Sequence, residues 1–240
     1  MFLDHIVHFI DRKPQIAVEE WKRQGMHAAI GGQHLNWGTH NALFYTKDSY
    51  IEWLAVEKPE IAEAADHPLT KLLLHDKTGF GTICLRTESI EELDNRLKSE
   101  GFETSGVLDA ERRTDTGELI QWKMLFIQEE ARSQLPAPFF IEWQESDEQR
   151  YEGLRKRGAI VSANEELAIE RLVFGVNDPE AAEGKWRKVL GGSLELPNCR
   201  LEFKRTEGVK ERLEEVHFMN GHKRLSFEDG VYYLPKLGNI

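Results

Sequence analysis

The sequence predicts an α+β protein assembled from repeated β-α-β-β-β modules. Two observations predict it. The order strand, helix and then three strands occurs twice in residues 1–145 and begins again after residue 166. The triplet Ile-Glu-Trp stands in the last strand of both complete modules, as Ile51-Glu52-Trp53 and Ile141-Glu142-Trp143.

Residues 3–10, LDHIVHFI, mix β-branched and aromatic side chains as strands do. Pro14 opens a helix whose apolar positions, Ile16, Val18 and Trp21, stand among charges; it ends near Gly25. Residues 28–32 form a short strand running into a glycine turn. Residues 42–46 and 50–57 make a hairpin around Lys47-Asp48-Ser49. In the second module 81–87 is a strand, Ser89 is placed to cap a helix carrying Ile90, Leu93 and Leu97, and Gly101 stops it. A weak strand at 103–109 and strong strands at 119–128 and 138–144 complete the order.

The domain organisation follows. Residues 1–145 form the paired modules, and 146–166 a charged, helical linker. Residues 167–240 form a third, degenerate module. Its strand at 169–176 leads into a helix with Pro179 in its first position and Gly191-Gly192 at its end, followed by further strands.

Composition limits the function. A net charge of -11 argues against a nucleic-acid or anionic-membrane binder, which needs a cationic face. No apolar run approaches the roughly 18 residues of a membrane span. The first residues, MFLDHIVHFIDRK, carry an acid and two histidines where a secretion signal needs basic and then purely apolar residues, so a cytoplasmic protein is expected. Cys84 and Cys199 are not in a C-x-x-C pair and read as ordinary thiols. Phosphate-loop, dinucleotide and serine-nucleophile motifs do not occur.

The triplet carries the chemical signal. Along residues 50–56 alternate side chains face opposite ways. Ile51, Trp53 and Ala55 make one face, and Tyr50, Glu52, Leu54 and Val56 the other. Both faces are apolar, so Glu52 sits among residues that leave water. A buried carboxylate needs a cation, hydrogen bonds or a metal. Glu142 stands in the same pattern beside Phe140. A glutamate reaching solvent at a barrel end, or paired with Lys or Arg, also satisfies it. His5 is expected to share a face with Leu3, Val7 and Phe9, and a lone histidine there is most often a satisfied core residue. One imidazole and two carboxylates are equally a donor set for a divalent metal. His8 points away from His5, and His40, His67, His75, His217 and His222 lack metal-like spacing.

Paired modules with histidine in the first strand and glutamate in the fourth resemble the vicinal oxygen chelate superfamily. Gly31-Gly32-Gln33-His34 and Gly38-Thr39-His40-Asn41 resemble the signature of its glyoxalase-like domain branch. The resemblance implies a curved, cavity-bearing mixed sheet made by the two modules. It implies a divalent ion (Zn, Ni, Mn or Fe) on His5, Glu52 and Glu142. Gly81 stands at the fourth corner and offers no ligand, and Arg171 stands where His5 would in the third module. His34, Thr39 and Asn41 are the implied ligand-binding residues at the cavity mouth; a turn-and-cap role is the alternative for them. The implied activity is that of a metal-dependent lyase or isomerase acting on a small oxygen-rich molecule chelated through adjacent oxygens. Glu52 or Glu142 would double as catalytic base. The alternative is a metal-free small-molecule binding protein of the bleomycin-resistance type, which Gly81 favours. Superfamily sites often form at dimer interfaces, so a homodimer is a further expectation, although tandem modules also allow a site within one chain.

Overall fold

The computed structural model describes residues 1–113 and 119–236, the side chains at 112 and 113 excepted. The first module runs β1 (Phe2–Phe9), α1 (Gln15–Arg23), β2 (Ala29–His34), β3 (Thr39–Tyr45) and β4 (Tyr50–Val56). Two short helices that the sequence reading did not include, α2 (Pro59–Ala64) and α3 (Pro68–Asp76), lead to the second module. That module is β5 (Gly79–Arg86), α4 (Ile90–Ser99), β6 (Leu108–Arg113), β7 (Leu119–Phe126) and β8 (Phe139–Trp143). Both modules keep the expected β-α-β-β-β order.

The modules share one mixed eight-stranded sheet, ordered β2-β3-β4-β1-β5-β8-β7-β6. β4 is parallel to β1, β8 is parallel to β5, and β1 meets β5 antiparallel at the centre. The weak strand expected at 103–109 instead begins at Leu108. Upstream, the Thr104 hydroxyl bonds Asp94 and the Ser105 hydroxyl bonds the Gly106 carbonyl, leaving a single bridge from Thr104 to Ile127. Such local side-chain bonds compete with ladder formation.

Residues 146–166, expected to be a linker, hold α5 (Asp147–Lys156) and α6 (Ser162–Glu165). Ser146 and Gln149 form a reciprocal capping box at the start of α5. Then come β9 (Ile169–Val176), α7 (Pro179–Leu190), β10 (Glu195–Leu196), β11 (Cys199–Arg205), β12 (Arg212–Phe218), β13 (Lys223–Phe227) and β14 (Gly230–Leu234). They make a second sheet, ordered β10-β11-β9-β12-β14-β13. β11 is parallel to β9, β12 antiparallel to β9 and β14 parallel to β12. These are the neighbour relations of β4, β1, β5 and β8 in the first sheet.

One face of the first sheet, called here the helix face, carries Leu3, Ile6, Ile51, Trp53, Ile83 and Phe140. It packs on Trp21 of α1, Leu93 and Leu97 of α4, and the second sheet's Phe218 and Tyr232. The other, the site face, carries Val7, Phe9, Leu54, Cys84, Phe139 and Ile141, with Leu72 and Leu73 of α3 against it. Among the described residues no helix is long and apolar enough to cross a membrane.

Candidate functional site

β1 is bulged against β5 between Leu3 and His5. The bulge breaks strict alternation. Leu3 therefore joins the helix face, whereas His5 stays on the site face beside Tyr50 and Phe139, contrary to the expectation that Leu3 and His5 share a side. Pairing with β4 starts only at His5, so Leu3 lacks a strand partner on that side. Asn198, in the turn between β10 and β11, replaces it. Its carbonyl accepts from the Leu3 N–H at 2.9 Å and its amide donates to the Leu3 carbonyl at 2.9 Å.

The bulge aims Asp4 and His5 at a buried polar centre. His5 Nδ1 lies 2.9 Å from Asp4 Oδ1. Asp4 Oδ2 accepts from Arg86 at 3.1 Å, Arg150 at 3.1 Å and the Trp143 indole at 3.0 Å. Burial alone would raise the Asp4 pKa, but Arg150, His5 and Arg86 outweigh it and hold the carboxyl far below the usual carboxylate range. An anion beside Nδ1 keeps the proton on that nitrogen, and in the neutral ring the lone pair is on Nε2.

Nε2 stands 3.6 Å from Glu52 Oε2, too far for a hydrogen bond. Glu52 Oε1 accepts from Asn41 at 2.5 Å, and Asn41 Oδ1 accepts from the Gly32 N–H at 2.9 Å. Glu52 is 7% exposed, and among the described residues His5 is the one basic group in ion-pair range of it. The glycine signature acquires a physical role here. A Cβ on Gly31 would stand 1.9 Å from Asn41 Oδ1. Gly31→Ala is expected to cost about 1–3 kcal/mol by displacing Asn41 and leaving Glu52 without its bond. Urea unfolding checks this, and a loss below about 0.5 kcal/mol would show that Asn41 has room to yield.

The other residues singled out by sequence fall as follows. Asn41 is buried and turned toward Glu52, and His34 Nδ1 pairs with the Thr39 hydroxyl at 2.9 Å. Glu142 does not join His5 and Glu52. Phe139 and Ile141 of β8 belong to the site face, so Glu142 between them and Trp143 belongs to the helix face. There Glu142 Oε2 accepts from the Ile90 N–H at 2.6 Å, the capping bond of α4 that the Ser89 side chain does not make. At Gly81 a Cβ would stand 2.3 Å from the Phe9 ring, so an aromatic side chain occupies that corner. In the second sheet Arg171 donates to Glu202 at 2.8 Å. Glu202 is registered on Val173 as Glu52 is on Val7, so that carboxylate has an internal cation.

Sequence reasoning passed over several members of this centre. Asp4 could have been found by the argument used for Glu52, because it too is an acid inside an apolar strand. Arg86 and Arg150 carried no local signal. Cys84 faces His5 across β1 and β5, and Asp4, His5 and Cys84 bring donor atoms within 4.8 Å of one another. Burial, then the charges of Asp4 and Glu52, push the Cys84 thiol well up, so it stays protonated. His67, set aside for its lack of metal-like spacing, is 7% exposed and stacked on Trp37.

Comparison with known proteins agrees with this architecture. A crystal structure of a hypothetical protein from Staphylococcus aureus is 25% identical, with a TM-score of 0.80 over 96% of this chain and 97% of that one. The likeness therefore spans both sheets. The methylmalonyl-CoA epimerase of Mycobacterium tuberculosis is 16% identical, with a TM-score of 0.43 over 62% of this chain and 91% of its own. A variant of the Streptomyces coelicolor methylmalonyl-CoA epimerase, in complex with 2-nitronate-propionyl-CoA, is also 16% identical, with a TM-score of 0.44 over 60% of this chain and 99% of its own. No curated protein matches the chain. The model of the glyoxalase-like domain family matches residues 3–190, from β1 through the whole first sheet to the end of α7, and the chain belongs to that family.

Proposed function

We propose that this chain is an isomerase- or lyase-type enzyme that moves a proton next to substrate oxygens on the site face, with a divalent ion held by His5 and Glu52. The observation that carries the reading is the His5–Glu52 pair. Two donors, each about 2.1 Å from one tetrahedral ion, lie about 3.4 Å apart. Nε2 and Oε2 stand 3.6 Å apart. Each is held from behind, His5 by Asp4 and Glu52 by Asn41, as metal ligands usually are. Asp4 itself has four donors and two guanidinium neighbours, so it supports rather than ligates.

The ion, when bound, would polarise the substrate oxygens and stabilise charge that develops on them. The chain's own residues do the rest. Asn41 occupies Oε1 of Glu52, so Oε2 is the one oxygen left either to hold the ion or, released from it, to take a proton. Tyr50, stacked on the His5 ring at 4.5 Å, keeps the imidazole in one plane. Phe139 and Val7 beside it exclude water from the pair.

A second reading is a metal-free small-molecule binder. Two observations favour it: Glu142 caps α4 on the opposite face, and Phe9 fills the corner at Gly81. Elemental analysis of tag-free protein separates the two. The metalloenzyme reading expects about one divalent ion per chain, lost in His5→Ala and in Glu52→Gln. Asn41→Ala should weaken metal affinity by roughly 10–100-fold. Protein that retains no ion after exposure to Zn, Ni, Mn and Fe would leave the binder as the function.

A further inference from the structure

A cavity of about 910 Å³ opens at the second module's end of the site face, a volume within the range of small-molecule sites. Leu69 and Leu72 of α3, Phe126 and Phe139 of the sheet, and Leu135 and Pro138 of the segment between β7 and β8 make its apolar wall. All of these but Leu69 are buried. Phe126 and Phe139 stack parallel at 5.1 Å with their planes 10° apart. Neither His5 nor Glu52 lines the cavity.

The second sheet fixes this wall. Arg212, the first residue of β12, is 8% exposed. Its guanidinium donates to both carboxylate oxygens of Asp76, the last residue of α3, at 2.6 and 2.9 Å. It also donates to the carbonyls of Arg132 at 2.6 Å and Gln134 at 2.7 Å, both in the segment between β7 and β8. Glu211 beside it donates its N–H to the Ser133 carbonyl at 2.7 Å, and its carboxylate accepts from the Leu135 N–H at 3.1 Å. One buried cation therefore ties α3 to the segment before β8. These two pieces of the wall are fixed relative to each other, and a ligand would not have to order them.

Charge decides what fits. Each cation at the rim already has an acid: Lys71 has Asp66, Arg132 has Glu130 and Lys185 has Glu129. Glu103 is the acid left over. Among the described residues no cation and no hydrogen-bond donor meets its carboxylate. An anionic ligand would have to take a cation from its present partner and would meet the Glu103 charge as well. A cationic ligand breaks no pair, and Glu103 is exposed, so it can be reached without disturbing the fold.

We propose that the cavity binds an apolar amine, with its alkyl or aryl body on the wall of Leu72, Phe126, Leu135 and Phe139 and its protonated nitrogen at Glu103. This site is separate from the His5–Glu52 pair and stands whether or not a metal binds there.

The test titrates 3-phenylpropylamine, 3-phenylpropanol and 3-phenylpropionate, which share one apolar body, into protein stripped of metal, so that no amine can ligate an ion at His5 and Glu52. Calorimetry gives the affinities. The methyl resonances of Leu72 and Leu135 in ¹³C-leucine-labelled protein report where the probe sits. The amine should bind about fivefold more tightly than the alcohol, the upper range for an exposed ion pair, and the alcohol more tightly than the acid. The amine's advantage should fade at about 1 M salt and vanish in Glu103→Gln, a surface substitution that leaves the wall intact. Binding of none of the three, equal binding of amine and alcohol, leucine methyls unmoved at saturation, or a preference for the amine that survives in Glu103→Gln would overturn the assignment.

Discussion

Replacement of Asp4 by alanine is expected to destabilise the protein by about 3–5 kcal/mol, the cost of leaving buried cations without their partner. Asp4 is fully buried. It joins Arg86 from β5, Arg150 from α5, His5 and the Trp143 indole at one carboxylate. Arg150 is 6% exposed and rests over the Trp143 ring at 4.4 Å, so water cannot take over the carboxylate's role. Arg86 keeps one further acid, Asp147, at 3.0 Å. Against a total stability of about 5–15 kcal/mol the loss is large. Urea unfolding of wild type and Asp4→Ala measures it, and a change below about 1 kcal/mol would mean that the two arginines reach solvent once the acid is gone.

Mild acid should destabilise the protein through two buried histidines. Burial holds His8 down to about 4, against the opposing pull of the Glu228 carbonyl and the Asp229 charge. His67 lies at about 4, again by burial first and then by the charge of His34. Both groups have folded values below the unfolded value of about 6.5, so below that pH the unfolded chain binds protons that the folded chain refuses. Stability is therefore complete above about pH 6.5 and falls as the pH drops toward 4. Each histidine contributes about 3 kcal/mol of loss by pH 4. His8 also ties the two sheets together. Its Nε2 bonds the Glu228 carbonyl at 2.8 Å, so its Nδ1 accepts from the Tyr232 hydroxyl at 2.5 Å. Protonation of Nδ1 would break that second bond. Unfolding free energies at about pH 7 and about pH 4.5 should differ by several kcal/mol in wild type. His8→Asn and His67→Phe should each shrink the difference. A flat pH dependence in wild type would mean that these rings are not buried in solution.

Below about pH 4 carboxylates take over. Burial raises the Asp76 pKa, but hydrogen bonds from Arg212 and His75 and the charges of Arg212 and Lys210 bring it below its ordinary value. Asp76 and Asp4 therefore support the fold above the unfolded carboxylate range and lose that support as pH falls through it.

The sequence by itself determined the modules, because a strand's period of two and a helix's apolar face are local properties of the chain. It also singled out His5 and Glu52, since a polar group inside an apolar strand is visible without any partner. Its misstep was to treat the two Ile-Glu-Trp triplets as equivalent. In β4 the glutamate shares the site face with Leu54, whereas in β8 Ile141 takes that face and Glu142 turns to α4. Period two says which residues alternate within a strand, but not which parity faces the site; pairing between strands and bulges set that. The bulge before His5 separates Leu3 from it for the same reason.

Tertiary structure alone decided the rest. Asp4, Arg86 and Arg150 meet because β1, β5 and α5 converge, and no local pattern links residues so far apart in the chain. Asn198, in the turn between β10 and β11, supports the bulge from the second sheet, and His67, just before α3, meets Phe126 of the first sheet's site face. Local sequence records what each segment can bury. Only the packed fold records what each buried polar group meets, and in this protein those meetings make the site.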